Sequence, residues 1–220
     1  MMINIAIDGP AGAGKSTAAK AAAAKLGFIY VDTGALYRAV GINALRRNIE
    51  TTDVEGVIST LDGLSISIRF IDGTQHVYIG DEDVSVDIRL PEASMAASNV
   101  SKIPEVRAFL FDLQRNLAAE NNCVMDGRDI GTVVLPDAQI KIFLTASPEI
   151  RAKRRYNELI EKGTPVDFDV LLAEIIQRDY NDSHREIAPL KPSEDGIVID
   201  TSGMTIDETA DIIVDLVNKL

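Results

Sequence analysis

Apolar positions along this chain follow two alternating rhythms. Short runs such as Ile3-Asn4-Ile5-Ala6-Ile7 predict buried strands, at about residues 2–8, 28–32, 122–126, 139–145 and 196–200. Between them the apolar residues recur with a helical period, at about 15–26, 34–48, 104–120, 147–162, 166–181 and 205–219. Strands that alternate with helices imply an α/β fold, a parallel sheet covered on both faces. Such a sheet takes its ligands at the carboxyl ends of its strands. The residues that follow each strand are therefore the first candidates for a site.

One stretch departs from this rhythm. Ile66-Ser67-Ile68-Arg69-Phe70 alternates with period two, Asp72-Gly73-Thr74 is a turn signal, and His76-Val77-Tyr78-Ile79 resumes the apolar run. This predicts a β-hairpin within a segment of about residues 62–90 that fits no βαβ unit. The segment reads as a small antiparallel insert over an acceptor site. The loops near Lys162–Asp169 and Ala188–Gly196, rich in Pro, Gly and Asp, fit either the hinges of a lid or ordinary connections. A chain of 220 residues suits one α/β domain with insertions, or a large domain with a small one.

The residues after the first strand carry chemistry. Gly9-Pro10-Ala11-Gly12-Ala13-Gly14-Lys15-Ser16 fits G-x-x-x-x-G-K-[ST], between a predicted strand and a predicted helix. The glycines let successive N–H groups face inward as a nest for phosphate. The new helix adds its free amides and dipole. Lys15 is placed to reach β- and γ-phosphates, and the Ser16 hydroxyl to ligate Mg²⁺. No N-K-x-D signature of a switch GTPase follows, and neither H-R-D nor D-F-G of the protein kinases.

Composition narrows the setting. Apolar residues make up 46% of the chain, enough for a sizeable core, and no run approaches a membrane span of ~18 residues. A formal net charge of −12 disfavours a general nucleic-acid binder. An enzyme of polyanionic nucleotides must then concentrate its cations locally. The lone cysteine, Cys123, lies in an apolar run and reads as a buried thiol. The first strand begins almost at the N-terminus with no signal peptide ahead of it, and a cytoplasmic location is expected. No long apolar seam is visible, so a monomer is expected.

The arginines are patterned. Arg151, Arg154 and Arg155 share a face of one predicted helix, with Lys153 between them. Arg178, Asp182 and Arg185 share a side of the next. Either group suits phosphate, through the planar guanidinium fork, or a solvated face paired with Glu149, Glu158 or Glu186. Asp32-Thr33-Gly34-Ala35-Leu36-Tyr37-Arg38 ends a strand and starts a helix, so Asp32 or Thr33 is a cap, or Thr33 and Arg38 hold a second phosphate. In Asp126-Gly127-Arg128-Asp129, Arg128 is expected to point into the cleft with Asp129 orienting it. His76 and His184 lack partners at metal-ligand or triad spacing and read as bystanders. A phosphate acceptor is already mostly ionised at neutral pH, with a second pKa of about 6, and needs no general base. Many arginines and no evident base therefore favour a nucleoside monophosphate over a hydroxyl acceptor. The residues alone leave open a P-loop kinase for another small acceptor, or a nucleotide-hydrolysing regulatory protein.

Asp8–Ser16, Asp32–Arg38, Met125–Val134 and Asn181–Arg185 together closely resemble the bacterial cytidylate kinases, a family of P-loop nucleoside monophosphate kinases, and the likeness runs nearly end to end. The resemblance implies a P-loop three-layer fold with a five-stranded parallel sheet in the order 2-3-1-4-5, a small antiparallel β insert and a helical lid. It divides the chain into a core domain (1–61, 91–145 and 186–220), an insert of the monophosphate-binding domain (62–90) and a lid region (146–185). It implies transfer of the γ-phosphoryl group of ATP to CMP or dCMP, with Mg²⁺. Gly9, Pro10, Ala11, Gly12, Ala13, Gly14, Lys15, Ser16 and Thr17 would hold ATP, with Arg154 of the lid clamping its phosphates and Ser16 holding the metal. Thr33, Tyr37, Arg38 and Arg128 would surround the acceptor phosphate, and Ser98 and Arg107 would address the cytosine ring. Asp129 would fix the base and its neighbouring arginine, Arg178 would bridge toward the transferred group, and Asp182 and Arg185 would contact the ribose.

Overall fold

A computed structural model describes residues 2–161 and 163–220; Lys162, where one expected loop begins, lies outside the described residues. The elements run β1 (Asn4–Asp8), α1 (Lys15–Leu26), β2 (Ile29–Asp32), α2 (Thr33–Arg46), α3 (Val54–Ser59), β3 (Ile66–Ile71), β4 (Thr74–Ile79), β5 (Glu82–Asp83), α4 (Pro91–Val100), α5 (Pro104–Glu120), β6 (Cys123–Gly127), β7 (Ile140–Thr145), α6 (Pro148–Glu161), α7 (Phe168–His184), β8 (Ile197–Asp200) and α8 (Ile206–Val217). Five strands form a parallel sheet in the order β2-β6-β1-β7-β8. Numbered without the strands of the insert, this is 2-3-1-4-5. Among the described residues no helix is long and apolar enough to cross a membrane.

Chain contacts divide the molecule into two units, one of residues 3–28 and 122–220 and one of residues 29–121. In the first, β1 lies between β6 and β7, with Ile5 opposite both Val124 and Ile140. Ile5 and Ile7 are wholly buried, which explains an apolar run without alternation. Burying such a side chain contributes about 1.5–3 kcal/mol. β7 pairs with β8 from Ile142 and Ile197 to Thr145 and Asp200. α1 packs on α8, and α6 on α7. A capping box at Thr205 and Glu208 starts α8: the Thr205 amide donates to the Glu208 carboxylate and the Glu208 amide to the Thr205 hydroxyl.

The second unit has its own core, made by α2 with α4, α5 and the small sheet around Leu36, Val40, Val77, Val100 and Leu110. Asp72-Gly73 makes the two-residue turn of the expected hairpin. A third short strand, β5, extends that sheet antiparallel to β4. Two residues are too few to show a period, so it was not legible. Two helices also went unforeseen. α3 is six residues long and is started by the Asp53 carboxylate, which accepts from the Gly56 amide at 3.0 Å. α4 starts with Pro91 and buries Ala93, Ala96 and Val100, a helical spacing made of small residues with an exposed Met95 among them.

α2 and α4 meet where Gly41 faces Ala96. A Cβ on Gly41 would stand 2.6 Å from the Ala96 Cβ and 3.1 Å from its carbonyl carbon. Gly41→Val should therefore destabilise the chain by about 1–3 kcal/mol and lower Tm by roughly 2–12 °C. Gly203→Ala, with nothing within 4 Å of the new carbon, should change Tm little. Thermal unfolding of the two variants checks the contrast.

Candidate active site

The glycine loop leaves β1 through Gly9, whose φ is +145°. A Cβ there would lie 1.9 Å from the Leu144 carbonyl oxygen of β7, so only glycine lets the chain turn so close to the neighbouring strand. Gly12 and Gly14 are also left-handed, at φ 76° and 82°. Gly14 caps α1 without a side-chain acceptor, which leaves the first amides of that helix for an anion.

Lys15 is 5% exposed, and its ammonium donates to the Pro10 carbonyl at 2.8 Å. Burial lowers its pKa to about 7, and the cations of Arg128 and Arg178 lower it too, against the carboxylates of Asp126 and Asp8. Ser16 donates its hydroxyl to the Asp126 carboxylate at 2.8 Å, at the end of β6. Two hard oxygen donors side by side fit a Mg²⁺ carried by nucleotide phosphates. Asp8, the last residue of β1, accepts from the Ile130 and Gly131 amides at 2.7 and 2.8 Å. It thereby holds the π-helical turn Ile130–Val134 that follows Arg128 and Asp129. Burial raises the Asp8 carboxyl to about 6, opposed by those two hydrogen bonds. Sequence reading passed over Asp8 and Asp126. The signal was there: each is a carboxylate closing an apolar run that ends at the sheet's ligand edge.

Beside the loop is a cavity of about 580 Å³, lined by Gly12, Thr17, Arg154, Thr201, Met204 and Ile206 among others. Arg154 donates to Thr201, at 2.6 Å to its carbonyl and 3.3 Å to its hydroxyl. The Thr201 hydroxyl in turn lies 3.1 Å from the Ala13 carbonyl of the loop. Three arginines expected on one face separate. Arg154 meets the loop side of this cavity and Arg155 is exposed with Glu158 at 2.8 Å, while Arg151 is buried and leaves the basic face altogether. Its guanidinium donates to the Ala146 and Ala11 carbonyls at 2.9 and 3.0 Å and pairs with Asp179.

The remaining candidates of this unit form crossed pairs. The Arg128 Nε donates to Asp182 at 3.0 Å, and Arg185 lies 3.5 Å from Asp129. Asp182 is one carboxylate that orients Arg128. The separation of 54 residues hid that partner from a reading of neighbours. Arg178 stands on α7 one residue before Asp179.

In the second unit, Asp32 caps α2 through the Ala35 amide at 3.1 Å and also binds Arg38 at 2.6 Å. One carboxylate thus both starts the helix and fixes the guanidinium. Thr33 is buried at the first position of α2. Both Asp32 backbone groups are met by the side chain of Gln75 in β4, at 2.7 and 3.2 Å, so the insert is tied to the end of β2. Arg107 lies over the Tyr37 ring, 6.0 Å from its centroid, and donates to Ser101 at 3.4 Å. Ser101 donates to the Ser98 carbonyl at 3.1 Å, which gathers Ser98 and Arg107 at the turn between α4 and α5.

A phosphate reaching Lys15 favours its charged form and returns its pKa toward the ordinary value. Nucleotide binding must then take up protons where free Lys15 is partly neutral, above about pH 7. Calorimetric titration with Mg·ATP at pH 8, in buffers of different ionisation enthalpy, should show an uptake approaching one proton. Lys15→Met should abolish that uptake; the same uptake in the variant would rule Lys15 out as its source.

The family model for cytidylate kinase matches residues 5–219. Among curated proteins, a cytidylate kinase of Caldicellulosiruptor saccharolyticus is 55% identical over 218 residues, 99% of this chain and 96% of that one. Another, of Caldicellulosiruptor bescii, is 53% identical over the same shares. Among solved structures, a shikimate kinase of Bacteroides thetaiotaomicron superposes with a TM-score of 0.51 at 15% identity over 99% of both chains, a likeness of fold alone. By the near-complete match and the level of identity, the chain belongs to the cytidylate kinase family.

Proposed function

We propose that this protein transfers the γ-phosphoryl group of ATP to CMP or dCMP, giving ADP and CDP or dCDP. The observation that carries the reading is Lys15: a buried ammonium beside the glycine loop, hydrogen-bonded to a carbonyl and, among the described residues, not to a carboxylate. Such a charge is left for a phosphate to complete. The triphosphate would lie along Gly9–Thr17, with its adenosine in the cavity beside the loop and Arg154 at its phosphates. Ser16 and Asp126 would hold Mg²⁺, which supplies charge neutralisation at the β- and γ-phosphates.

The acceptor oxygen is part of an ionised phosphate, so the protein's task is to align two anions and offset their repulsion. Thr33 and Arg38 would hold the acceptor phosphate, Arg38 being preset by Asp32. Ser98 and Arg107 would read the cytosine edge, with Tyr37 beneath the guanidinium. Arg128, held by Asp182, would also face the acceptor phosphate, and Arg178 would follow the migrating group. Asp129 and Arg185 brace one another; Asp182 and Arg185 would meet the sugar hydroxyls. Residues 146–185 serve as the lid in this reading, closing over ATP so that water does not take the phosphoryl group. A cytoplasmic monomer acting on free nucleotides fits a single cysteine whose thiol is buried and pushed up to about 12.

A panel of ribo- and deoxyribonucleoside monophosphates with Mg·ATP tests the reading. CMP and dCMP should be phosphorylated well, UMP poorly and AMP hardly at all, with little ADP formed when no acceptor is present. ADP release that CMP does not change would overturn it. Arg38→Met should raise KM for CMP by ~10-fold or more while KM for ATP stays within about threefold, because a charge-assisted contact to one substrate is lost. Equal rises in both constants would remove Arg38 from the acceptor site.

A further inference from the structure

Arg151 is among the largest fully buried side chains, at 2% exposure, and no proposed substrate contact uses it. A lone arginine on the first turn of α6 would ordinarily reach solvent. Here all three nitrogens of the fork have assigned acceptors. Nε donates to the Ala146 carbonyl at 2.9 Å, Nη1 to the Ala11 carbonyl at 3.0 Å and to Asp179 at 3.0 Å, and Nη2 to the other oxygen of Asp179. The stem packs under the loop: a Cβ on Gly12 would stand 3.2 Å from the Arg151 Cβ.

Two features give this arrangement a consequence for phosphate. First, a nest presents N–H groups inward only if the intervening carbonyls turn outward. The Ala11 carbonyl turns out onto a fixed cation. Secondly, Asp179 lies on α7 next to Arg178 and three residues before Asp182, which holds Arg128. A buried arginine and a partly exposed carboxylate therefore join the shape of the glycine loop to the helix that carries these groups. Stability alone explains it poorly, since taking a guanidinium out of water carries a penalty that its partners largely serve to offset.

We infer that Arg151 is a positioning residue, with Asp179 as its counterpart, that holds the Ala11 carbonyl out of the phosphate cradle and registers α7 against the loop. The inference rests on the proposed ATP site, and deepens it. Arg151 touches no substrate and acts through Ala11 and through α7.

The test uses the full chain with Arg151→Lys, Arg151→Met and Asp179→Asn. Lysine keeps the charge but offers one donor centre where the fork serves three acceptors. Arg151→Lys and Arg151→Met should weaken Mg·ATP binding in calorimetry by roughly 10-fold or more, the loss expected of charge-assisted hydrogen bonds. Asp179→Asn leaves Arg151 its two carbonyls, so Mg·ATP affinity should fall less than in Arg151→Lys while kcat falls by ~10-fold as α7 loosens. In the double variant Arg151→Lys with Asp179→Asn the losses should be less than the product of the single ones, because both break the same pair. If Tm falls in all variants but Mg·ATP affinity and kcat stay within about twofold of the parent, the pair only stabilises the fold and the inference fails. Should Arg151→Lys not fold, Asp179→Asn still decides through its split between kcat and ATP affinity. A parent protein that binds Mg·ATP without phosphorylating CMP would sink the proposed reaction, while the affinity arm would still judge the latch.

Discussion

A cation kept in the interior, bonded to a carbonyl and to no carboxylate among the described residues, sets the terms for this molecule. Lys15 is buried, its ammonium bonds to the Pro10 carbonyl, and its pKa drops to about 7 because water has been removed from around it. The fold tolerates this because the surroundings are built outward from the loop. Gly9 brings the chain within contact of Leu144, Arg151 takes the Ala11 carbonyl, and Thr201 takes that of Ala13. On the proposed reading each of these contacts would keep a carbonyl or a strand clear of the anion. On the proposed reading the result would be a preorganised field in which a polyphosphate meets donors already aimed, a larger effect than the same groups would have in water.

The same economy governs the other ionised groups. Asp32 caps a helix and fixes Arg38; Asp182 fixes Arg128; Asp8 fixes the turn after Arg128 through two backbone amides. A protein with a formal charge of −12 thus pairs acidic residues with specific arginines, which aims the cations and limits their mutual repulsion. Those arginines are held in geometry by their partners, so on the proposed reading less side-chain freedom would be lost when a nucleotide binds.

Much of this was legible in the chain. The central strand, the glycine loop and the first helix were readable because their signals are local: an unbroken apolar run, glycines at fixed spacing, and alanine-rich helical periodicity. The Asp72-Gly73 turn was readable for the same reason. What escaped was of two kinds. Short or small-residue elements, β5, α3 and α4, carry little periodic signal. Long-range partners carry none at all. Arg151 looked like one member of a basic face, and only folding brings Asp179 and Ala11 to it, 28 and 140 residues away along the chain. Asp126 sat in plain view at a strand end, yet its role depends on Ser16, 110 residues distant. The family likeness supplied sheet order and substrate, which no local pattern contains.

The most direct measurement of the central claim is the unfolding free energy of the nucleotide-free protein against pH, for the parent and for Lys15→Met. Folding holds the Lys15 pKa near 7 against 10.5 in the unfolded chain, so the folded state binds fewer protons between those values. The burden of burying the charge is therefore fullest below about pH 7 and shrinks as pH rises toward 10.5. The variant should be more stable than the parent, by a margin that grows as pH falls from 9 to about 7 and then levels off. A margin that is absent, or that does not change with pH, would contradict the claim.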